Sequence, residues 1–190
     1  DAASALAETV GKKLGGNSPE ERIAAFVAKM NERAKSIGMV HSRFVNPHGL
    51  DAPELCASVK QTDEKQEEKN NDTECDIPIY GNPTTARDLA LLAEHVWYAD
   101  PDIWYISRTQ ETSLSTNEKR TYHITTTNDL LREYPALLGG KTGYTSKAKG
   151  TLLLLYPVKT GHIAIIVILG SDDRFGDGRK IIEWLENVFQ

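Results

Sequence analysis

Gly139-Gly140-Lys141-Thr142-Gly143-Tyr144-Thr145 follows the polar run Thr125-Thr126-Thr127-Asn128-Asp129 and precedes two apolar runs, Leu152–Tyr156 and Ile163–Leu169. Apolar runs that short, bounded by turn residues, read as buried strands. The heptapeptide therefore sets a cation, a hydroxyl and a glycine in a row at the start of a sheet core. A lysine is costly to bury without a partner, and a strand glycine marks a place where another backbone or a ligand comes close. The pattern points to a strand edge that receives an anionic, extended ligand.

Further along the chain, the triplet Lys-Thr-Gly recurs at Lys159-Thr160-Gly161. That copy follows Pro157 between the two apolar runs, so it reads as a hairpin tip at 158–162. Ser146-Lys147-Ala148-Lys149 spells Ser-x-x-Lys, but in a turn between strands, whereas a lysine that activates a serine belongs one helical turn away from it. Ser115-Thr116-Asn117 spells Ser-x-Asn at the tip of a hairpin over 110–125. A last helix is expected at about 178–189, with Ile181, Ile182, Leu185, Val188 and Phe189 on its buried face.

Upstream, residues 2–14 show Leu6, Val10 and Leu14 at helical spacing, ended by Gly15-Gly16. Ser18-Pro19-Glu20-Glu21 starts a second helix, with serine as cap and Glu21 completing a capping box. Its buried stripe is Ile23, Phe26, Val27, Met30, Ala34 and Ile37, and Gly38 stops it. Residues 39–51 form a tight loop, in which His48 is expected to bond backbone. Thr84 or Thr85 caps a third helix that buries Leu89, Leu92, Ala93, Val96 and Trp97; Asp100-Pro101 breaks it, and one or two turns follow at Ile103–Ile106. Trp97 and Trp104 are read as core.

The chain has 190 residues, 39% hydrophobic and 26% charged, with a net charge of −5, as in a soluble globular protein. That charge is carried by one stretch. Between Glu54 and Asp76 eight acids face three lysines, and the remainder is neutral. No basic stripe is present to bind nucleic acid. The five histidines are scattered without a ligand spacing, so no metal site is expected. Cys56 and Cys75 flank the acidic stretch and are the only cysteines. A disulfide between them would tie its base, in keeping with an oxidising compartment; two unrelated thiols are the alternative. The sequence opens on Asp1, without an initiating Met or a signal peptide, and reads as a piece of a longer chain.

Several spaced stretches resemble the D-alanyl-D-alanine carboxypeptidases, the low-molecular-mass penicillin-binding proteins of peptidase family S11. They are Asp1–Glu8, Met30-Asn31 with Ala34 and Gly38-Met39, Phe44-Val45-Asn46-Pro47-His48-Gly49-Leu50-Asp51, Thr85-Ala86-Arg87-Asp88-Leu89-Ala90, Thr127-Asn128 with Leu130-Leu131, and Gly140–Thr145. The likeness runs nearly end to end, apart from the acidic stretch. It implies an α+β fold of the β-lactamase/DD-peptidase type: an antiparallel sheet packed against helices, with part of the helical subdomain. Residues 1–190 would be part of one catalytic domain, interrupted by an acidic insertion at 54–76.

The resemblance implies acyl transfer without a cofactor, on a peptidoglycan stem peptide ending in D-Ala-D-Ala, with β-lactams acylating the same serine. In the family a run like Asp1-Ala2-Ala3 directly follows the Ser-x-Asn motif, so that motif and the Ser-x-x-Lys nucleophile would precede this sequence. The small C-terminal domain and membrane anchor would follow it. Here Lys141 would face the substrate carboxylate region and support proton transfer, Thr142 would offer it a hydroxyl, Gly143 would let the substrate backbone lie on the strand, and the Tyr144 N–H would be an oxyanion donor. Arg174 is either a further carboxylate ligand or a surface arginine near Asp172 and Asp173. The implied location is extracytoplasmic. Two other readings compete: a serine β-lactamase, for which no Glu-x-x-Leu-Asn pattern is present, and a non-catalytic domain that binds peptidoglycan or a partner.

Overall fold

The computed structural model describes residues 2–51, 55–56, 78–79 and 81–189. The backbone divides into two compact units, Asp1–Arg33 with Ser42–Pro83, and Ala34–His41 with Thr84–Gln190.

The first unit opens with α1 (Ala2–Lys13) and α2 (Pro19–Ser36). The capping box forms as expected: Ser18 Oγ accepts from Glu21 N at 3.2 Å, and Glu21 Oε2 accepts from Asn17 N and Ser18 N at 2.8 and 3.3 Å. The helical spacing of Leu6, Val10 and Leu14 is real, but that face is exposed, and α1 buries Ala7 and Gly11 instead. Gly11 decides which face turns inward. A methyl added there would lie 2.0 Å from the Arg22 carbonyl oxygen, so only a small-residue face approaches α2 this closely.

Asparagine side chains hold the loop after α2. Asn31 donates from Nδ2 to the Phe44 carbonyl (2.7 Å) and accepts from Phe44 N (2.8 Å). Asn46 Oδ1 accepts from Gly49 N at 2.7 Å, and Asn82 Oδ1 accepts from Val45 N at 2.8 Å. His48 Nδ1 accepts from Leu50 N at 3.2 Å, the backbone-bonding role read for it. A two-residue antiparallel ladder joins β1 (Leu55–Cys56) to β2 (Pro78–Ile79). The rest of the acidic insertion, with Cys75 and hence the Cys56–Cys75 pairing, lies outside the described residues.

The second unit is a three-stranded antiparallel sheet, ordered β5 (Gly139–Thr145), β6 (Lys149–Pro157), β7 (Ile163–Ser171), with helices on both faces. β6 is central and apolar at successive positions because both its faces are covered. Leu152, Leu154 and Tyr156 pack with Ile166 against α5 (Leu130–Glu133) and α6 (Arg174–Val188). Leu153 and Leu155 pack against Ala93 of α3 (Ala86–Ala99) and Trp104 of α4 (Asp102–Ser107). Thr85 caps α3 by accepting from Asp88 N at 3.1 Å. Asp88 itself is buried, and its Oδ2 accepts from His41 N at 2.8 Å, which pins the end of the 34–41 segment to α3.

The second Lys-Thr-Gly copy lies at the β6–β7 hairpin tip, closed by Val158 N to His162 O (2.9 Å) and Gly161 N to Val158 O (3.0 Å), with Gly161 at φ +82°. Ser115-Thr116-Asn117 occupies the turn between β3 (Glu111–Ser115) and β4 (Thr121–Thr125), where every strand residue is exposed. The last helix starts earlier than the sequence suggests, at Arg174. Asp173 caps it by accepting from Gly176 N at 2.9 Å. Gly176 and Gly178 disguise this first turn as loop, yet Gly178 is there for packing: a methyl on it would lie 2.8 Å from Leu130 and 3.0 Å from Leu152. Ile182 and Leu185 form the buried face, whereas Val188 and Phe189, expected on it, are exposed.

Candidate active site

β5 is an edge strand, paired on one side with β6 in the register Lys141↔Leu153, Thr142↔Leu152, Gly143↔Thr151 and Tyr144↔Gly150. Gly140 N donates not to β6 but to Ser107 Oγ, at 3.1 Å. In an antiparallel ladder, successive residues turn their N–H and C=O groups alternately toward and away from the partner. The backbone groups of Thr142 and Tyr144 therefore share the open edge with those of Gly140.

Side chains alternate between the faces. Lys141 shares a face with Leu153 and lines a cleft of about 310 Å3 beneath α3 and α4, whose walls include Leu89, Trp104 and Ser107. Its Nζ donates to the backbone carbonyl of Thr142. Among the described residues no carboxylate pairs with Lys141. Its outer side is exposed, but protein atoms crowd the other, and this desolvation lowers the ammonium pKa below the usual lysine value.

Thr142 points to the opposite face and is buried. Its hydroxyl meets that of Thr127 at 2.5 Å. Tyr144 is exposed on the same face as Thr142. Arg174 lies there too: its guanidinium is 4.6 Å from the Phe175 ring centre and 6.0 Å from that of Tyr144. Arg174 Nε is buried with no hydrogen-bond partner among the described residues. The neighbouring acids are engaged elsewhere, Asp172 with Lys149 at 2.9 Å and Asp173 at the α6 cap. Gly143 leaves room above Thr151, whose Oγ1 would stand 2.5 Å from an added methyl.

One strand thus carries Lys141, Thr142, Gly143 and Tyr144, and the first turn of α6 adds Arg174. Three further residues were not singled out for a role from the sequence. Ser107 accepts from the edge of β5 and donates to the Trp104 carbonyl at 2.9 Å. Thr127 reaches Thr142. Asn128 is buried beside Gly140, its Nδ2 3.1 Å from where a methyl on that glycine would sit, and neither side-chain amide atom has a hydrogen-bond partner among the described residues. Nothing near Ser107 in the sequence marks it; Thr127-Asn128 appeared only as part of the family likeness.

Residues 1–173 match the family model of the D-alanyl-D-alanine carboxypeptidases. The chain belongs to that family. Among relatives of this chain, D-alanyl-D-alanine carboxypeptidase DacF of Bacillus subtilis is 29% identical over 190 residues, covering 100% of this chain and 39% of its own length. The D-alanyl-D-alanine endopeptidase of Escherichia coli is 29% identical over 168 residues, 85% of this chain and 44% of its own. The chain spans about two fifths of the length of the curated relatives it matches. Among solved structures, a Streptomyces DD-transpeptidase superposes with a TM-score of 0.72 at 23% identity, over 98% of this chain and 62% of that one. Penicillin-binding protein D2 of Listeria monocytogenes, in its ampicillin-bound form, gives 0.65 at 26% identity, over 97% and 62%. The α+β carboxypeptidase fold, an antiparallel sheet covered by helices, is common to them.

Proposed function

We propose that this chain supplies the Lys-Thr-Gly wall of a serine-type D-Ala-D-Ala carboxypeptidase, within one catalytic domain whose nucleophile lies on residues outside this sequence. The observation that carries the reading is β5 itself: an edge strand with open backbone groups at Thr142 and Tyr144, and an ammonium beside them that no carboxylate of the described residues neutralises. An extended peptide laid along such an edge gains backbone hydrogen bonds, and its terminal carboxylate meets positive charge.

In this reading a serine Oγ attacks the carbonyl carbon of the penultimate D-alanine. The C–N bond breaks, and the terminal D-alanine leaves with a proton on its nitrogen. Water then cleaves the ester and restores the serine. Splitting the reaction this way replaces one hard step with two easier ones. Lys141 draws in the carboxylate and supports proton movement. Gly143 admits the substrate backbone. Tyr144 N–H binds the oxyanion, a donor whose loss typically costs about 3 kcal/mol of transition-state stabilisation. Arg174, with no acid paired to it among the described residues, is a second attraction for the carboxylate. β-Lactams occupy the same groove and acylate the same serine. The stem peptide and the two cysteines agree with a site outside the cytoplasm; among the described residues no helix is long and apolar enough to cross a membrane.

The test uses the complete protein that carries this chain. It should release D-alanine from a D-Ala-D-Ala pentapeptide and retain fluorescent penicillin, and peptide mapping should put the adduct on a serine outside residues 1–190. An adduct on a serine of this chain, or neither activity in the complete protein, overturns the proposal.

A further inference from the structure

Ser107 ends α4 and touches the head of the site strand. Its Oγ accepts from Gly140 N at 3.1 Å and donates to the Trp104 carbonyl at 2.9 Å. The direction of this bridge is fixed, because a backbone N–H only donates and a carbonyl only accepts. The hydroxyl therefore gives its one proton to α4 and offers a lone pair to β5. The Trp104 carbonyl also accepts from Arg108 N at 3.1 Å, which holds it within the last turn of the helix.

Packing around the bridge is close. A methyl on Gly139 would lie 2.6 Å from Ser107 Oγ and 2.7 Å from the Trp104 carbonyl oxygen. Trp104 is itself buried against the β6 side chains Leu153 and Leu155. The carboxyl end of α4 is thus wedged against the first residues of β5.

An edge strand is held by a ladder on one side only. β5 has β6 on that side, and its other side is where a ligand would lie. Ser107 is a tie on the open side, at the residue just before Lys141. It occupies the Gly140 donor, so the open backbone donors that remain are those of Thr142 and Tyr144. With Lys141 it also lines the cleft beneath α3 and α4. Any slip of β5 against α4 would carry the Lys141 ammonium and both open donors with it.

We propose that Ser107 is a positioning residue of the acyl-transfer site: by bridging the Trp104 carbonyl to Gly140 N it fixes the head of β5, and through it the placement of Lys141 and of the Tyr144 N–H toward the bound ligand. The proposal rests on the carboxypeptidase reading and gives a task to a serine outside every motif of the site.

The experiment uses the complete protein and compares Ser107→Thr with Ser107→Val, which share a shape and differ in the hydroxyl, with Ser107→Ala as the plain deletion. Stopped-flow measurement with a chromogenic β-lactam separates the dissociation constant of the first complex from the acylation rate constant. All variants are measured below their unfolding transitions. The acylation constant should fall about tenfold or more in the valine and alanine variants, as small misplacements of reacting groups produce. The dissociation constant should stay within about twofold of wild type, and threonine should keep an acylation constant at least about fivefold above that of valine. An alanine variant that acylates as fast as wild type, equal constants for threonine and valine, or a loss confined to the dissociation constant or the melting temperature would each overturn the proposal and leave the carboxypeptidase reading standing. Hydrogen exchange of the wild type adds a check that needs no variant to fold. The Gly140 amide should exchange more slowly than those of Thr142 and Tyr144, and exchange as fast as theirs would also overturn the bridge. A wild-type protein that the β-lactam does not acylate would sink the carboxypeptidase reading, and this proposal with it.

Discussion

Lys141 stands directly opposite Leu153 in the β5–β6 ladder, on the face that α3 and α4 cover. Its ammonium is crowded by protein and satisfied by a carbonyl rather than by a carboxylate. That environment favours the neutral amine. The folded-state pKa is lowered, so the unfolded chain binds more protons just below the usual lysine value, and stability rises with pH through that window. Lys141→Met should flatten this rise. Competitive labelling with an amine-directed reagent should find Lys141 reacting at a pH below the usual lysine range; reaction of Lys141 only in that usual range would contradict the desolvation argument.

The two Lys-Thr-Gly copies make an internal control. Lys141 lies on the edge strand beside open backbone groups, whereas Lys159 lies in a surface turn closed by Val158 and His162. In the complete protein, Lys141→Ala should reduce penicillin acylation by at least about two orders of magnitude, in the range of lost preorganised electrostatic stabilisation. Lys159→Ala should leave acylation within about twofold of wild type, as surface substitutions usually do. Comparable losses in both variants would move the site away from β5.

Much of this arrangement is legible in the residues, and what is not has identifiable causes. The strands follow from the apolar runs of β6 and β7, and the capping box from Ser18 and Glu21, because both signals are local. The face of α1 is not local. Leu6, Val10 and Leu14 mark a helix, but the close approach at Gly11 decides which side is buried. The first turn of α6 hides behind two glycines for the same reason, since Gly178 answers to Leu130, far away in sequence. At the site, the period of two along a strand already implies that Lys141 and Thr142 point to opposite faces. The partner of Thr142 is another matter: three consecutive threonines precede Asn128, and only tertiary packing selects Thr127.

Gly140 tests how tightly the site strand is seated. A methyl there would lie 2.7 Å from the Leu153 carbonyl oxygen and 2.9 Å from Leu154 Cδ2, with Asn128 Nδ2 at 3.1 Å. The carbonyl belongs to the central strand and cannot swing away as a side chain would. Gly140→Ala should therefore destabilise the protein by about 1–3 kcal/mol, the usual range for overpacking. It should also weaken acylation by shifting the Thr142 and Tyr144 backbone. Denaturant unfolding measures the first effect and penicillin labelling the second; an alanine variant of wild-type stability would mean that β5 has slack against β6 at this position.

Tyr156 gives a pH signature at the far end of the sheet. Its ring is buried between β6 and α6, and its hydroxyl donates to Glu186. Burial first, and then the bond to the Glu186 carboxylate, push the phenol up to about 12. An unfolded tyrosine ionises near 10. Below that pH both states hold the proton, and the contribution to stability is fully present. Between about 10 and 12 the unfolded chain releases the proton while the folded protein keeps it, so stability falls as pH rises. The full contribution is on the order of 3 kcal/mol. Tyr156→Phe keeps the ring but removes the titrating group. Its melting temperature should be lower than wild type at pH 8, where the bond to Glu186 is lost, and the difference should narrow as the pH approaches 11. A gap that stays constant across that range would show that the Tyr156 proton is not held by the fold.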